Sequence, residues 1–236
     1  MVNKERFYRI PFTFGIDNVD RNIETFTKTN EVGYVCVVDI NVLANSYTDN
    51  TYLKILQKAT FNTCDGSFLA FLLNIKYKRR YKSYNGPEIF EKFIVKSEFE
   101  QLLIGPSHND FNLLKSKIDT SKHIHNLELP FKNVNEFDYL KISKHINDIK
   151  PNLIWVMLGA PKQEKFINNL IPYVNSGLLF GTGAALNFYL GRINNRQFNI
   201  IGLRFIWLER IFLEPRKQLS RIFKFLKVLN KIIRDA

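Results

Sequence analysis

Two turns in this chain have the residues that can hold an anion. Gly159-Ala160-Pro161 closes an apolar run and is followed at once by Lys162, Gln163 and Glu164, the start of a helical pattern. Gly181-Thr182-Gly183 closes a second apolar run, and another apolar helical pattern opens at Ala184. Each reads as strand, tight turn, helix. Glycine lets a backbone approach a ligand closely, and the N–H groups at a helix start favour negative charge. Such turns also occur in parallel sheets that bind nothing there, so the pattern alone leaves both readings open. Two carboxylates stand near the ends of other strand-like runs: Asp39, in the run that ends at Asn41, and Asp65, before Gly66. No Asp-x-Asp occurs anywhere, so the usual carboxylate pair for a metal–diphosphate is missing and no metal is expected. The four histidines form no metal spacing, and His123 and His125 are a weak chelating pair at best. Cys36 and Cys64 lie in apolar, strand-like contexts and read as small core residues.

These residues need a scaffold, and the chain supplies one by alternation. Residues 32–40 (VGYVCVVDI) read as a buried strand, 42–58 as a helix with Leu43, Tyr47, Leu53 and Leu56 inward, and 61–64 as a very short strand. A strongly apolar helix over 67–78 has Ser67 as its candidate cap. The basic cluster Arg79, Arg80 and Lys82 precedes a helix over 87–95, with Pro87 in its first turn. Next come a strand over 98–104, a helix over 109–118 and a strand over 123–129. An amphipathic helix over 135–149 follows, with Phe137, Leu140, Ile142 and Ile146 inward. Residues 1–29 read as an irregular or short-strand entry. The order implies an α/β fold, a Rossmann-like, mostly parallel sheet flanked by helices. A dinucleotide-dependent oxidoreductase is disfavoured, because Leu186 stands where the fingerprint needs its third glycine.

Composition narrows the partners. With 236 residues, 45% of them hydrophobic, the chain can build a full core. A net charge of +12 calls for an anionic partner: nucleic acid, an acidic membrane surface or a phosphorylated substrate. The first residues lack an apolar leader, and the longest weakly polar stretch, 176–191, is short of the roughly 20 apolar residues that span a bilayer. A cytoplasmic location is the expectation. From residue 204 the character changes, which divides the chain into a domain over 1–203 and an appendage over 204–236. Arg216, Lys217, Arg221, Lys224, Lys227, Lys231 and Arg234 are basic, and no acid lies between Pro215 and Arg234. Leu219, Ile222, Phe223, Leu226, Leu229 and Ile233 recur at helical steps, so the appendage is expected to be a basic amphipathic helix for an anionic membrane surface. No nucleic-acid motif accompanies the charge, so nucleic acid is not the expected partner. A non-catalytic basic module that binds membrane or nucleic acid is the alternative reading.

Gly159-x-Pro161-Lys162-Gln163-Glu164, then Gly181-x-Gly183-Ala184-Ala185 with Phe188 and Gly191, then Glu214-Pro215-Arg216 form a specific series. With Asn41, Asp65-Gly66, Gly86-Pro87-Glu88, Gly105, Trp207 and Arg210, this series resembles the WecG/TagA/CpsF family of bacterial glycosyltransferases. The resemblance implies transfer of an N-acetylmannosamine-type or related sugar from a UDP-sugar to an undecaprenyl-diphosphate-linked saccharide. It further implies inversion without a metal or other cofactor, at the cytoplasmic membrane face, in the synthesis of cell-surface polysaccharides. The chain departs from the family pattern in three places. Asn194-Asn195-Arg196-Gln197 stands where Arg-Ala-Pro is usual, Ile206-Trp207 replaces Glu-Trp, and Asp39 replaces a frequent Thr. The donor sugar, the acceptor and self-association into a homo-oligomer are left open.

Inverting transfer needs a base for the acceptor hydroxyl and cations for the leaving diphosphate. With the resemblance counted, Asp65 is the candidate base and Asp39 its rival. A turn or helix-cap role is the plain structural alternative for Asp65. Arg210, Arg216 and Arg221 are the candidate cations, since guanidinium meets phosphate in a planar fork. Asp39, Asn41, Gly159, Pro161, Gln163, Glu164, Gly181, Gly183 and Ala184 are expected to form the nucleotide crevice. For Gln163 and Glu164 the plain alternative is an ordinary first helical turn.

Overall fold

A computed structural model describes residues 5–118, 123–193, 199–200, 203–204 and 215–235. The chain enters through an antiparallel hairpin, β1 (Glu5–Phe7) and β2 (Ile10–Phe12), and a helix, α1 (Ile16–Phe26). Six strands then build the central sheet: β3 (Val32–Val38), β4 (Phe61–Cys64), β5 (Gln101–Ile104), β6 (Ile124–Leu127), β7 (Leu153–Val156) and β8 (Gly177–Gly181). Their order is β4-β3-β8-β7-β5-β6, and every pairing is parallel. A short antiparallel pair, β9 (Asn199–Ile200) and β10 (Leu203–Arg204), lies apart from it.

Both faces of the sheet are covered, which is why its strands read as continuous apolar runs. One face carries α2 (Ile40–Thr48), α3 (Asn50–Lys58), α4 (Ser67–Tyr77), α7 (Tyr139–Ile149), α8 (Lys162–Leu170) and α10 (Pro215–Asp235). The other carries α1, α5 (Gly86–Ile94), α6 (His108–Lys115) and α9 (Ala185–Tyr189). β3 leads into α2 on the first face, whereas its neighbour β8 leads into α9 on the second. Where adjacent connections part in this way, the carboxyl ends of the strands bound a crevice.

Several elements differ from the sequence expectation, each for a local reason. The entry over 1–29 contains α1, whose start at Gly15 has no side-chain cap to announce it. The helix expected over 42–58 breaks at Asp49, which takes an extended conformation, ends α2 and caps α3 through Tyr52 N at 3.0 Å. Asp and Asn compete with helical backbone bonds, so Thr48-Asp49-Asn50 favours the break. Gly66, not Ser67, is the N-cap residue of α4. Leu140 is exposed, and the inner side of α7 is Ile142, Ser143 and Ile146. Among the described side chains of α10, Val228 and Ile232 are buried and Phe225 is partly covered. The apolar stripe expected for a membrane surface lies on another side of α10, and its Leu219, Phe223 and Leu226 are exposed. The partner of α10 is α2, reached in part by Lys224 Nζ donating to Asn45 Oδ1.

Candidate functional site

The two glycine turns interlock. Gly159 takes φ +75°, a left-handed conformation that disfavours any side chain. Its N–H donates to Gln163 Oε1 at 3.0 Å, and Gln163 Nε2 donates to Glu164 Oε1 at 2.8 Å. So fixed, the Gln163 amide fills the space beside the second turn. A Cβ at Gly181 would stand 2.9 Å from Gln163 Nε2, and one at Gly183 would stand 3.5 Å from Gln163 Oε1. From the opposite face Gly86 closes on the same turn, where a Cβ would meet Thr182 O at 3.5 Å. Asn85 and Glu88 hold Gly86 in place by a reciprocal cap, with Glu88 N to Asn85 Oδ1 at 2.9 Å and Asn85 N to Glu88 Oε2 at 3.1 Å. The Asn85-x-x-Glu88 spacing is a sequence signal for this helix start, whereas the closeness of Gly86 to Thr182 has none. Gly181→Ala should dislodge Gln163, which has bonds on both sides and little room to yield. The expected result is a loss of about 1–3 kcal/mol, read as a lower midpoint in urea.

The two candidate carboxylates emerge side by side. Val38 pairs with Cys64 in register, and Asp65 N donates to Val38 O at 2.9 Å. Asp39 and Asp65 are the next residues on these adjoining strands. Their side chains have different surroundings. Asp39 caps α2, accepting from Val42 N at 2.7 Å. Asp65 precedes the N-cap residue of α4, and that cap has no side-chain hydrogen bond. Asn41 lies buried in the first turn of α2. Pro161 is exposed at the head of α8 after a cis Ala160–Pro161 bond, and Ala184 is half-buried at the head of α9.

Glu164 lies beneath this surface, fully buried. Burial is the largest cause that pushes its carboxyl up to about 7; the Gln163 amide opposes the rise, and the charge of Asp39 adds to it. The Tyr52 hydroxyl is near enough to act on the carboxyl, yet among the described residues neither Tyr52 Oη nor Glu164 Oε2 has a hydrogen-bond partner of good geometry. Glu164 is therefore placed to support Gln163 from below, not to line the crevice. The raised value has a pH consequence. Below the unfolded value of 4.5 both states carry the proton. Between there and about 7 the folded state holds the proton while the unfolded state has lost it, so stability falls as pH rises. Above about 7 the full penalty is present, about 3 kcal/mol. Glu164→Gln keeps an acceptor for Gln163 and removes the ionisation. Its urea stability should stay level across that range, where the parent chain declines.

Other charges position the elements. Lys165 Nζ reaches Asp49 Oδ2 at 2.9 Å, tying α8 to the α2–α3 corner, and this bond holds the Asp49 carboxyl below its usual range. Lys162 Nζ lies 5.2 Å from the Phe131 ring centre and 5.3 Å from that of Phe137. His123 and His125 both face the Glu100 carboxylate at the opposite end of the sheet from the crevice. Arg221 is half-buried on α10, on the side of Phe225, Val228 and Ile232. Arg210 lies outside the described residues, as do Asn195, Arg196 and Trp207, and Arg216 is described in its backbone alone. The site thus unites Asp39, Asn41, Asp65, Gly159, Gln163, Gly181 and Gly183 at one end of the sheet.

The model of the "Glycosyl transferase WecG/TagA/CpsF family" matches residues 9–236. A relative from Bacillus subtilis (strain 168) is 22% identical over 223 residues, 89% of this chain and 84% of its own. That protein is an N-acetylglucosaminyldiphosphoundecaprenol N-acetyl-beta-D-mannosaminyltransferase.

Proposed function

The chain belongs to the WecG/TagA/CpsF family of glycosyltransferases, and from that premise we propose that it moves an N-acetylmannosamine-type sugar from UDP to an undecaprenyl-diphosphate-linked saccharide. The acceptor class is that of the Bacillus subtilis relative. The family match sets aside the non-catalytic alternative. The observation that most supports this reading is the placement of Asp65, which follows β4 beside Asp39 at the carboxyl end of the sheet, with β3 between it and the glycine turn that ends β8.

In this reading the acceptor hydroxyl attacks the anomeric carbon and gives its proton to Asp65. The bond from that carbon to the UDP oxygen breaks, and UDP departs with the electron pair. Attack opposite the leaving group inverts the anomeric centre. The turns at Gly159–Gln163 and Gly181–Ala184, with Asp39 and Asn41, hold the nucleotide. Glu164 holds Gln163. Arg210, Arg216 and Arg221 neutralise the departing diphosphate. The C-terminal segment brings these arginines to the site when it meets the inner face of the cytoplasmic membrane. Among the described residues no helix is long and apolar enough to cross a membrane. A panel of nucleotide sugars with a lipid-diphosphate acceptor, read by UDP release, tests the donor class. UDP-N-acetylmannosamine should give the fastest release, and a faster rate from a non-uridine donor would overturn the assignment.

A further inference from the structure

α4 is apolar on two sides. Leu69, Ala70 and Leu73 enter the core, as an inward stripe must. Phe68, Phe71, Leu72 and Ile75 recur at three- and four-residue steps on another side. Phe71 is 41% exposed and Ile75 63% exposed. A helix apolar all round is ordinarily buried, so this outer stripe needs an apolar partner. Immediately beyond it stand five exposed cations, Lys76, Lys78, Arg79, Arg80 and Lys82, and no acid occurs between Asp65 and Glu88.

The same pairing of exposed apolar residues with cations occurs on α10. Leu219, Phe223 and Leu226 are 49%, 62% and 54% exposed. Lys227 and Lys231 are exposed too, and again no acid lies between Pro215 and Arg234. The two helices are remote in sequence but meet in the fold, where the Phe68 and Phe225 rings pack edge-to-face with centres 5.9 Å apart.

We infer that α4 and α10 form one docking face for an anionic phospholipid bilayer, with the outer stripe of α4 seated among the acyl chains and residues 76–82 on the headgroups. This rests on the reading of the chain as an enzyme for a lipid-linked acceptor. Charge selects the occupant. A second copy docking through the same patch would set like charges against each other, since a two-fold contact repeats one surface. Nucleic acid would use the cations but leave the apolar stripe wet. An anionic bilayer satisfies both. The placement also has a use. α4 begins two residues after Asp65, so a bilayer beneath α4 brings the acceptor diphosphate to the end of the sheet that carries the base.

The test is flotation of the full chain with vesicles of phosphatidylcholine, with and without phosphatidylglycerol. Arg79→Gln/Arg80→Gln should lower partition onto the anionic vesicles about 30-fold, at roughly fivefold per cation, with little change on neutral ones. Phe71→Ser/Ile75→Ser should lower partition at least about tenfold on both. Phe223→Ser/Leu226→Ser should act similarly from α10. All six substituted side chains are exposed, and thermal unfolding checks that the fold is kept. The inference is overturned if both α4 variants partition like the parent while the α10 variant alone is lost. It is equally overturned if Phe71→Ser/Ile75→Ser only converts a dimer to a monomer in light scattering. Transfer to a short, water-soluble acceptor should be unchanged in the α4 variants. If the parent chain transfers nothing to that acceptor or to the lipid-linked one, the enzymatic reading fails, and the flotation result still decides the docking face.

Discussion

Asp65→Asn should abolish sugar transfer and leave UDP binding intact. The expected fall in kcat is about 10²–10⁴-fold, the contribution of a positioned general base. The substitution is nearly isosteric and keeps the hydrogen bond from Asp65 N to Val38 O, because that bond uses the backbone. It does not touch the Gly159–Gln163–Gly181 contact, so nucleotide affinity should stay within about threefold of the parent; each tenfold in affinity corresponds to about 1.4 kcal/mol. Asp39→Asn provides the contrast. Asp39 caps α2 through Val42 N, a bond that the Asn side chain can also accept. Its effect should therefore be much smaller than that of Asp65→Asn. Near-normal turnover by Asp65→Asn, with loss in Asp39→Asn, would transfer the base role to Asp39.

Deletion of residues 204–236 should remove transfer and vesicle binding together. The expected loss of activity on a membrane-embedded acceptor exceeds about 100-fold, because the deletion takes away Arg210, Arg216 and Arg221 at once. The six-stranded sheet lies wholly upstream, so a folded core should remain. That core will be less stable, since Val228 and Ile232 are buried on it and α2 loses its cover. Burial of such side chains contributes about 1.5–3 kcal/mol each. Retained UDP binding, by calorimetry, would place the nucleotide crevice in residues 1–203. A truncated chain that still transfers sugar at the parent rate would sink the proposed role of the arginines and of the appendage.

The sheet was readable because its strands are buried on both faces and so appear as short apolar runs, as in VGYVCVV and LIWV. The glycine turns were readable because few residues other than glycine suit Gly159, and a side chain at Gly181 would have to displace Gln163. What joins the turns was not readable. The contact of Gln163 with Gly181 depends on β7 and β8 being neighbours, and nothing in the local pattern states strand order. Glu164 illustrates the same limit. Its place in a first helical turn was plain, but its burial beside Tyr52 follows from the packing of α3 on α8. On α10 the apolar residues span a wide arc, and the partner helix α2, not the pattern, decides which of them are covered. α1 escaped notice because a glycine N-cap with no side-chain bond resembles any loop glycine.

The central claim is that this crevice transfers sugar from UDP to a polyprenyl-diphosphate-linked saccharide. The most direct measurement is UDP release by the full chain from UDP-N-acetylmannosamine, with and without undecaprenyl-diphosphate-N-acetylglucosamine, and mass analysis of the lipid product. The account expects release that depends on the acceptor, a product heavier by one N-acetylhexosamine, and an inverted anomeric centre. Release that ignores the acceptor, or no product from any lipid-linked saccharide, would contradict it.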